Sequence, residues 1–180
     1  METPNKHRCS VRAQEERQRG FSLIELLIVV AIILIIAAIA IPSFLRSRMA
    51  ANESAAAGSS RTINTAEANY AVNYPNLGYS NLLTDLGGAP ATCATPAGAT
   101  STSACLIDDV LANAGAIPKS GYTFTYVSGA PVGGLITSYT INVAPLRQGI
   151  TGQRYYFTDQ TGVIRYSVTG AATVASSPIQ

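Results

Sequence analysis

The side chains able to do chemistry in this chain are few, and their spacing narrows what they can do. Cys93 and Cys105 stand close enough in sequence to close a short loop as a disulfide, or else to remain as two free thiols. Asp108-Asp109 and Asp159-x-x-Gly162 put carboxylates in loop-like stretches, which suits a hard cation such as calcium. A plainer reading fits them better: Asp108 and Asp109 suit the first turn of a helix, where carboxylates favour the dipole, and Asp159 is an ordinary turn former. No metal site is therefore expected. Glu25 differs from all of these, being a lone carboxylate inside an apolar run. The chain has one histidine, His7, and a third cysteine, Cys9, both within the first 20 residues. Neither a Gly-rich phosphate loop nor a metal-ligand spacing is present, and the carboxylates after Glu25 are scattered. The expectation is a protein that is not an enzyme and uses no cofactor.

The elements that carry these residues follow from composition. Hydrophobic residues make up 47% and charged residues 12% of the 180-residue chain, with mean hydropathy +0.21, so part of it is expected to meet lipid. Phe21 to Leu45 is almost wholly apolar, and Leu26 to Ile41 is an unbroken stretch of Leu, Ile, Val and Ala between Glu25 and Pro42. As a helix this segment spans roughly 37 Å, enough for a bilayer core of about 30 Å. Lys6, Arg8, Arg12, Arg17 and Arg19 crowd its N-terminal flank, which puts residues 1–20 in the cytoplasm and the rest outside. From residue 21 onward basic and acidic residues balance, which gives no reason to expect a nucleic-acid partner.

Beyond the apolar segment, residues 46–75 are Ala-rich and helix-compatible. Ile63, Ala66, Tyr70 and Asn73 fall on one face and Arg46, Arg48, Glu53, Arg61 and Glu67 elsewhere, so the same helix is expected to continue into water until Pro75 stops it. Residues 76–180 form the expected head. Short helical pieces fit Asn81 to Leu86 and Leu106 to Ala114, each closed by glycine. Alternation then takes over at Tyr122-Phe124-Tyr126, Tyr139-Ile141-Val143, Tyr155-Phe157 and Val163 to Val168, giving about four short, antiparallel strands. Loops are expected at 89–104 and 128–137, and a frayed tail from Gly170. Nine Tyr and four Phe, alternating within strands, suit core and surface packing. The fold class is α+β: a long N-terminal helix, its first half membrane-spanning, packed on a small antiparallel sheet. With the C-terminal part outside, where thiols oxidise, Cys93–Cys105 is expected as a disulfide stabilising by roughly 3 kcal/mol.

The apolar segment alone admits a cleavable secretory signal, with Ala38-Ile39-Ala40 as its peptidase pattern, or a simple anchor. Glu25 suits neither, because an ionisable group costs about 2.5–3.5 kcal/mol at the centre of a membrane helix and less near its end. The string from Arg19-Gly20-Phe21-Ser22-Leu23-Ile24-Glu25 through Ile33, with Ala40-Ile41-Pro42-Ser43-Phe44, resembles the N-terminal segment of type IV pilins and the pseudopilins of type II secretion. The resemblance implies cleavage after Gly20 by a prepilin peptidase, removal of residues 1–20 as a leader, and N-methylation of Phe21. It maps the family's assembly carboxylate to Glu25 and its helix-loosening proline to Pro42, where a surface kink and a melt in the fibre are both open. Cleavage would create an α-amino cation at Phe21, and a neighbouring subunit's Glu25 is the one formal charge in the segment able to neutralise it.

The function this implies is structural: a major pilin assembled into a helical filament with identical or related subunits. Its other implied partners are the peptidase, an inner-membrane platform protein, an assembly ATPase and, before assembly, membrane lipid. The alternatives are a type II secretion pseudopilin and, from another class, a single-span membrane-anchored periplasmic binding protein. The implied location is the bacterial inner membrane, single-pass with the N-terminus cytoplasmic, then a cell-surface pilus or periplasmic filament.

Overall fold

The computed structural model describes residues 20–95 and 98–179. Most of the expected leader, with His7 and Cys9, lies outside the described residues. The chain divides into two units, one ending at Ile41 and one running from Pro42 onward.

Helix α1, Leu23–Asn73, belongs to both. Ser22 opens it: its carbonyl accepts from Leu26 N–H at 3.2 Å, and its own N–H donates to Glu25 Oε2 at 3.0 Å. This is the reciprocal arm of a Ser-x-x-Glu capping box, which satisfies a backbone donor that a helix start otherwise leaves unpaired. The helix is continuous through Pro42. In the first unit its apolar side chains are exposed among the described residues, from Leu23 at 79% to Ile41 at 58%.

In the second unit one stripe of α1 is buried: Ala56, Ala57, Ser60, Ile63, Ala66, Glu67 and Tyr70. The spacing follows the 3.6-residue period, and the small residues at its start let the helix backbone approach the sheet closely. Two expectations are corrected here. Asn73 is exposed rather than on the buried face, and Glu67 is fully buried rather than off it. Counting four and seven residues from Ile63 reaches Glu67 and Tyr70, so geometry puts the carboxylate inside whatever its polarity.

The sheet is a five-stranded antiparallel meander in the order β1 (Tyr122–Ser128), β2 (Tyr139–Pro145), β3 (Tyr155–Asp159), β4 (Arg165–Ser167) and β5 (Ser177–Pro178). Tyr122, Phe124, Tyr139, Ile141, Val143 and Tyr156 point inward and form one core with Ile63, Ala66 and Tyr70 of α1. On β3 the inward residues are Tyr156 and Thr158, which alternate with the Tyr155 and Phe157 that mark the strand in the sequence, because Tyr156 pairs with the inward Val143 of β2. The tail is not frayed. Its residues 177 and 178 form β5 against β4, Ile179 N–H donates to the Ile164 carbonyl at 2.9 Å, and Arg165 Nη1 donates to the Ser176 carbonyl at 3.1 Å. A two-residue strand containing Pro carries no alternation, so the pattern missed it.

The connection from α1 to the sheet is built of short pieces. A 3-10 turn covers Leu83–Leu86, α2 covers Pro90–Cys93 and α3 covers Asp109–Ala112. The expected helical pieces are present but shorter, and α2 lies where only loop was expected. Proline at its first position suits a helix start, since its missing N–H has no intrahelical partner there.

Candidate assembly site in the N-terminal segment

The residues with expected roles fall into three places. Gly20, Phe21 and Glu25 lie together at the start of α1, Pro42 lies within the same helix, and Cys93 with Cys105 lie in the connection ahead of the sheet. Phe21 is 80% exposed. A side chain at Gly20 would meet nothing within 4 Å, so the fold itself has no need of a glycine there. Any such need belongs to something that binds the backbone closely. Glu25 is the one carboxylate in the first turn, where it favours the helix dipole and accepts the Ser22 N–H. The sequence signal for this local role is the Ser22-x-x-Glu25 spacing, which the reading of Glu25 as an isolated carboxylate passed over.

Cys93 and Cys105 are joined, with 5.7 Å between their α-carbons. The bridge sits over Gly88, where an added side chain would come within 2.5 Å of Cys93 Sγ and Ser103 Oγ. Backbone bonds from Ala104 to Asp85, Cys105 to Gly87 and Leu106 to Leu86 tie the second cysteine to the 3-10 turn. The covalent link therefore fastens a Thr/Ala-rich loop to a piece of the core, since Leu86 is fully buried.

The candidate cation ligands are engaged otherwise. Asp108 caps α3 through Leu111 N–H at 2.6 Å and pairs with Lys119 Nζ at 3.4 Å, while Asp159 Oδ1 accepts from both the backbone N–H and the hydroxyl of Thr161. Among the described residues no three His, Cys, Asp or Glu gather as a metal site would require.

One polar cluster was not anticipated. Buried Glu67 receives Ser80 N–H at 3.0 Å on Oε2 and the Ser80 hydroxyl at 2.6 Å on Oε1, and Tyr126 donates its hydroxyl to the Ser80 carbonyl at 2.8 Å. Loss of water around Glu67 pushes its carboxyl above its ordinary range, against the opposing pull of the Ser80 bonds. Burial pushes the Tyr126 hydroxyl up as well, with the nearby Glu67 adding to it. The cluster joins α1, the segment after it and β1. Its role is to fix that segment on the core, because a buried carboxylate left unpaired would be costly.

The structure defines a class: chains with an exposed, apolar, singly charged N-terminal helical stretch and a packed antiparallel α+β head. A family profile described as the prokaryotic N-terminal methylation motif matches residues 17–41. The type IV major pilin protein PilA of Myxococcus xanthus (strain DK1622) is 42% identical over 74 residues, covering 41% of this chain and 33% of that protein. The chain thus matches about a third of the length of that curated relative. No solved structure matches this chain. The motif and the similarity support assignment of the chain to the type IV pilin and pseudopilin family. Its helix is long and apolar enough to cross a membrane, which supports a membrane-associated stage before assembly.

Proposed function

We propose that this chain is the major subunit of a type IV pilus-like filament, cut after Gly20, methylated at Phe21 and assembled through α1. The observation that carries the reading is the methylation-motif segment itself, an apolar helix with one carboxylate four residues after Phe21, exposed along its length among the described residues. Such a surface is unstable in water, and it is satisfied first by lipid and then by copies of the same helix. The new α-amino group of Phe21 then meets Glu25 of a neighbour. Residues 1–20 act as the leader, residues 21–45 span the membrane, and residues 46–75 continue the helix into the head formed by residues 76–180. A prepilin peptidase, a platform protein and an assembly ATPase are the partners this pathway requires. The N-terminus lies in the cytoplasm until processing, and the filament emerges on the other side.

Intact mass and N-terminal sequencing of sheared filaments test it. The expected result is a chain starting at Phe21 with one added methyl group. A mature chain starting at Ile41 would place the cut after Ala40 and remove the filament reading altogether. Electron microscopy of the same material distinguishes a surface pilus from a periplasmic secretion pseudopilus.

A further inference from the structure

Residues 42–52, just beyond the unbroken Leu, Ile, Val and Ala stretch, contain Arg46 and Arg48 and no acidic residue. Leu45, Arg48 and Asn52 follow one another at helical spacings of three and four, so they share a face of α1. The connection between β2 and β3 is fastened to that face. Asn52 Nδ2 donates to the Thr151 carbonyl at 2.9 Å, and Gln153 N–H donates to Glu53 Oε1 at 2.7 Å. The connection is itself preformed: Thr151 N–H and Ile150 N–H both donate to the Arg147 carbonyl, Arg147 N–H donates to Thr151 Oγ1, and Gly149 takes φ +82°. Leu45, Arg48, Ile150 and Thr151 line a groove of about 250 Å³.

The surface around this groove mixes two chemistries. Leu45, Leu146 and Ile150 are exposed to 50%, 54% and 63%. Arg46, Arg48 and Arg147 are exposed, and the ion pairs among the described residues, Lys119 with Asp108 and Arg154 with Glu53, leave all three out. Residue counting sets the height of this surface. About 20 residues of α1 cross ~30 Å of hydrocarbon and four or five more cross the headgroup layer, so a helix entering near Ser22 leaves the hydrocarbon near Ile41 and reaches phosphate level near Arg46.

We propose that Arg46, Arg48 and the Leu146–Thr151 connection form a collar that binds the anionic phospholipid headgroups of the bilayer α1 spans. The guanidiniums bind phosphate, and Leu45, Leu146 and Ile150 reach the carbonyl level beneath. Arginine forks suit phosphate, and aliphatic side chains beside cations are the composition of an interfacial anchor. This inference rests on the membrane stage of the proposed function. It goes beyond it by assigning a lipid-binding surface to the head, which must release headgroups when the subunit leaves for a filament.

The test uses the full chain at one copy per nanodisc. The chain contains no tryptophan, so Ile150→Trp introduces a single indole whose quenching by lipid brominated near the carbonyls reports depth. Leu82→Trp is the control: Leu82 is 55% exposed and lies two residues from Ser80, which is held by Glu67, about 31 Å further along α1 than Arg46. The expected result is about threefold stronger quenching at position 150 in discs containing phosphatidylglycerol than in phosphatidylcholine alone. Arg48→Gln with Arg147→Gln should return it to the phosphatidylcholine level, with position 82 unquenched throughout. Equal quenching in both lipids would overturn the proposal while leaving the membrane-spanning reading intact. Shielding of position 150 that appears only with two copies per disc would overturn it in favour of a neighbouring subunit. Failure of the chain to stay in discs of either composition would overturn both readings.

Discussion

Glu25 and Glu67 are carboxylates on one helix with opposite fates. Glu25 is exposed and caps the helix start, so its local role is met by geometry that an amide keeps and an aliphatic side chain loses. Glu25→Gln therefore separates capping from charge. In the filament reading Glu25→Leu should still insert in the membrane but yield sheared filaments lowered by more than about tenfold, because the α-amino cation of Phe21 is left without a partner in a dry bundle. Glu25→Gln should also assemble poorly if charge matters. Immunoblots of sheared and membrane fractions measure both, and a wild-type yield from Glu25→Leu would show that apolar packing alone sets the register. Glu67 is buried, and its carboxyl is raised above 4.5 by desolvation. The folded chain thus holds this proton to higher pH than the unfolded chain does. Its contribution to stability is fully present below the ordinary carboxylate range and is lost as pH rises through the folded value. Thermal melts of the full chain in detergent should show that decline, and Glu67→Gln should flatten it. Below the ordinary carboxylate range, where that contribution is complete, Glu67→Ala should cost about 1–3 kcal/mol by leaving the Ser80 hydroxyl and N–H unpaired.

Among the elements, α1 is set by local pattern and the connection behind it by a covalent link. The Ser22 cap, the helix-forming Ala and Leu residues and the 3.6-residue stripe from Ala56 to Tyr70 are all readable over a few turns. The segment from Ala89 to Cys105 has little apolar burial, with Ala104 its buried residue among those described, and it depends on the Cys93–Cys105 bridge and on backbone bonds from Ala104 to Asp85 and from Cys105 to Gly87. Cys93→Ser with Cys105→Ser should cost about 3 kcal/mol in head stability and expose the loop to proteolysis. The loss should be confined to the head, because α1 keeps its own hydrogen bonds. Limited proteolysis with mass mapping checks it. Cleavage first within α1 would mean that the bridge supports more than its own loop.

At the scale of the molecule the head is closed by its tail. β5 completes the meander, and Ile179 N–H donates to the Ile164 carbonyl beyond it, so removing residues 177–180 should lower the melting midpoint by the few degrees that about 1–2 kcal/mol implies for a domain of this size. An unchanged midpoint would return the tail to the frayed state its composition suggests. The long helix, its apolar first half, the antiparallel strands β1 and β2 and the pairing of the cysteines were all legible in the sequence, because each follows from periodicity or from short spacing along the chain. The inward registers of β3, the strand β5 and the burial of Glu67 were not legible. Each depends on a partner in a different element rather than on a pattern within its own: Val143 for Tyr156, Tyr166 for Ser177, and Ser80 with Tyr126 for the carboxylate. Local pattern determines what an element is and which face is apolar. Only tertiary packing decides which polar groups find partners inside, because satisfying a buried donor or acceptor needs two residues brought together from different elements.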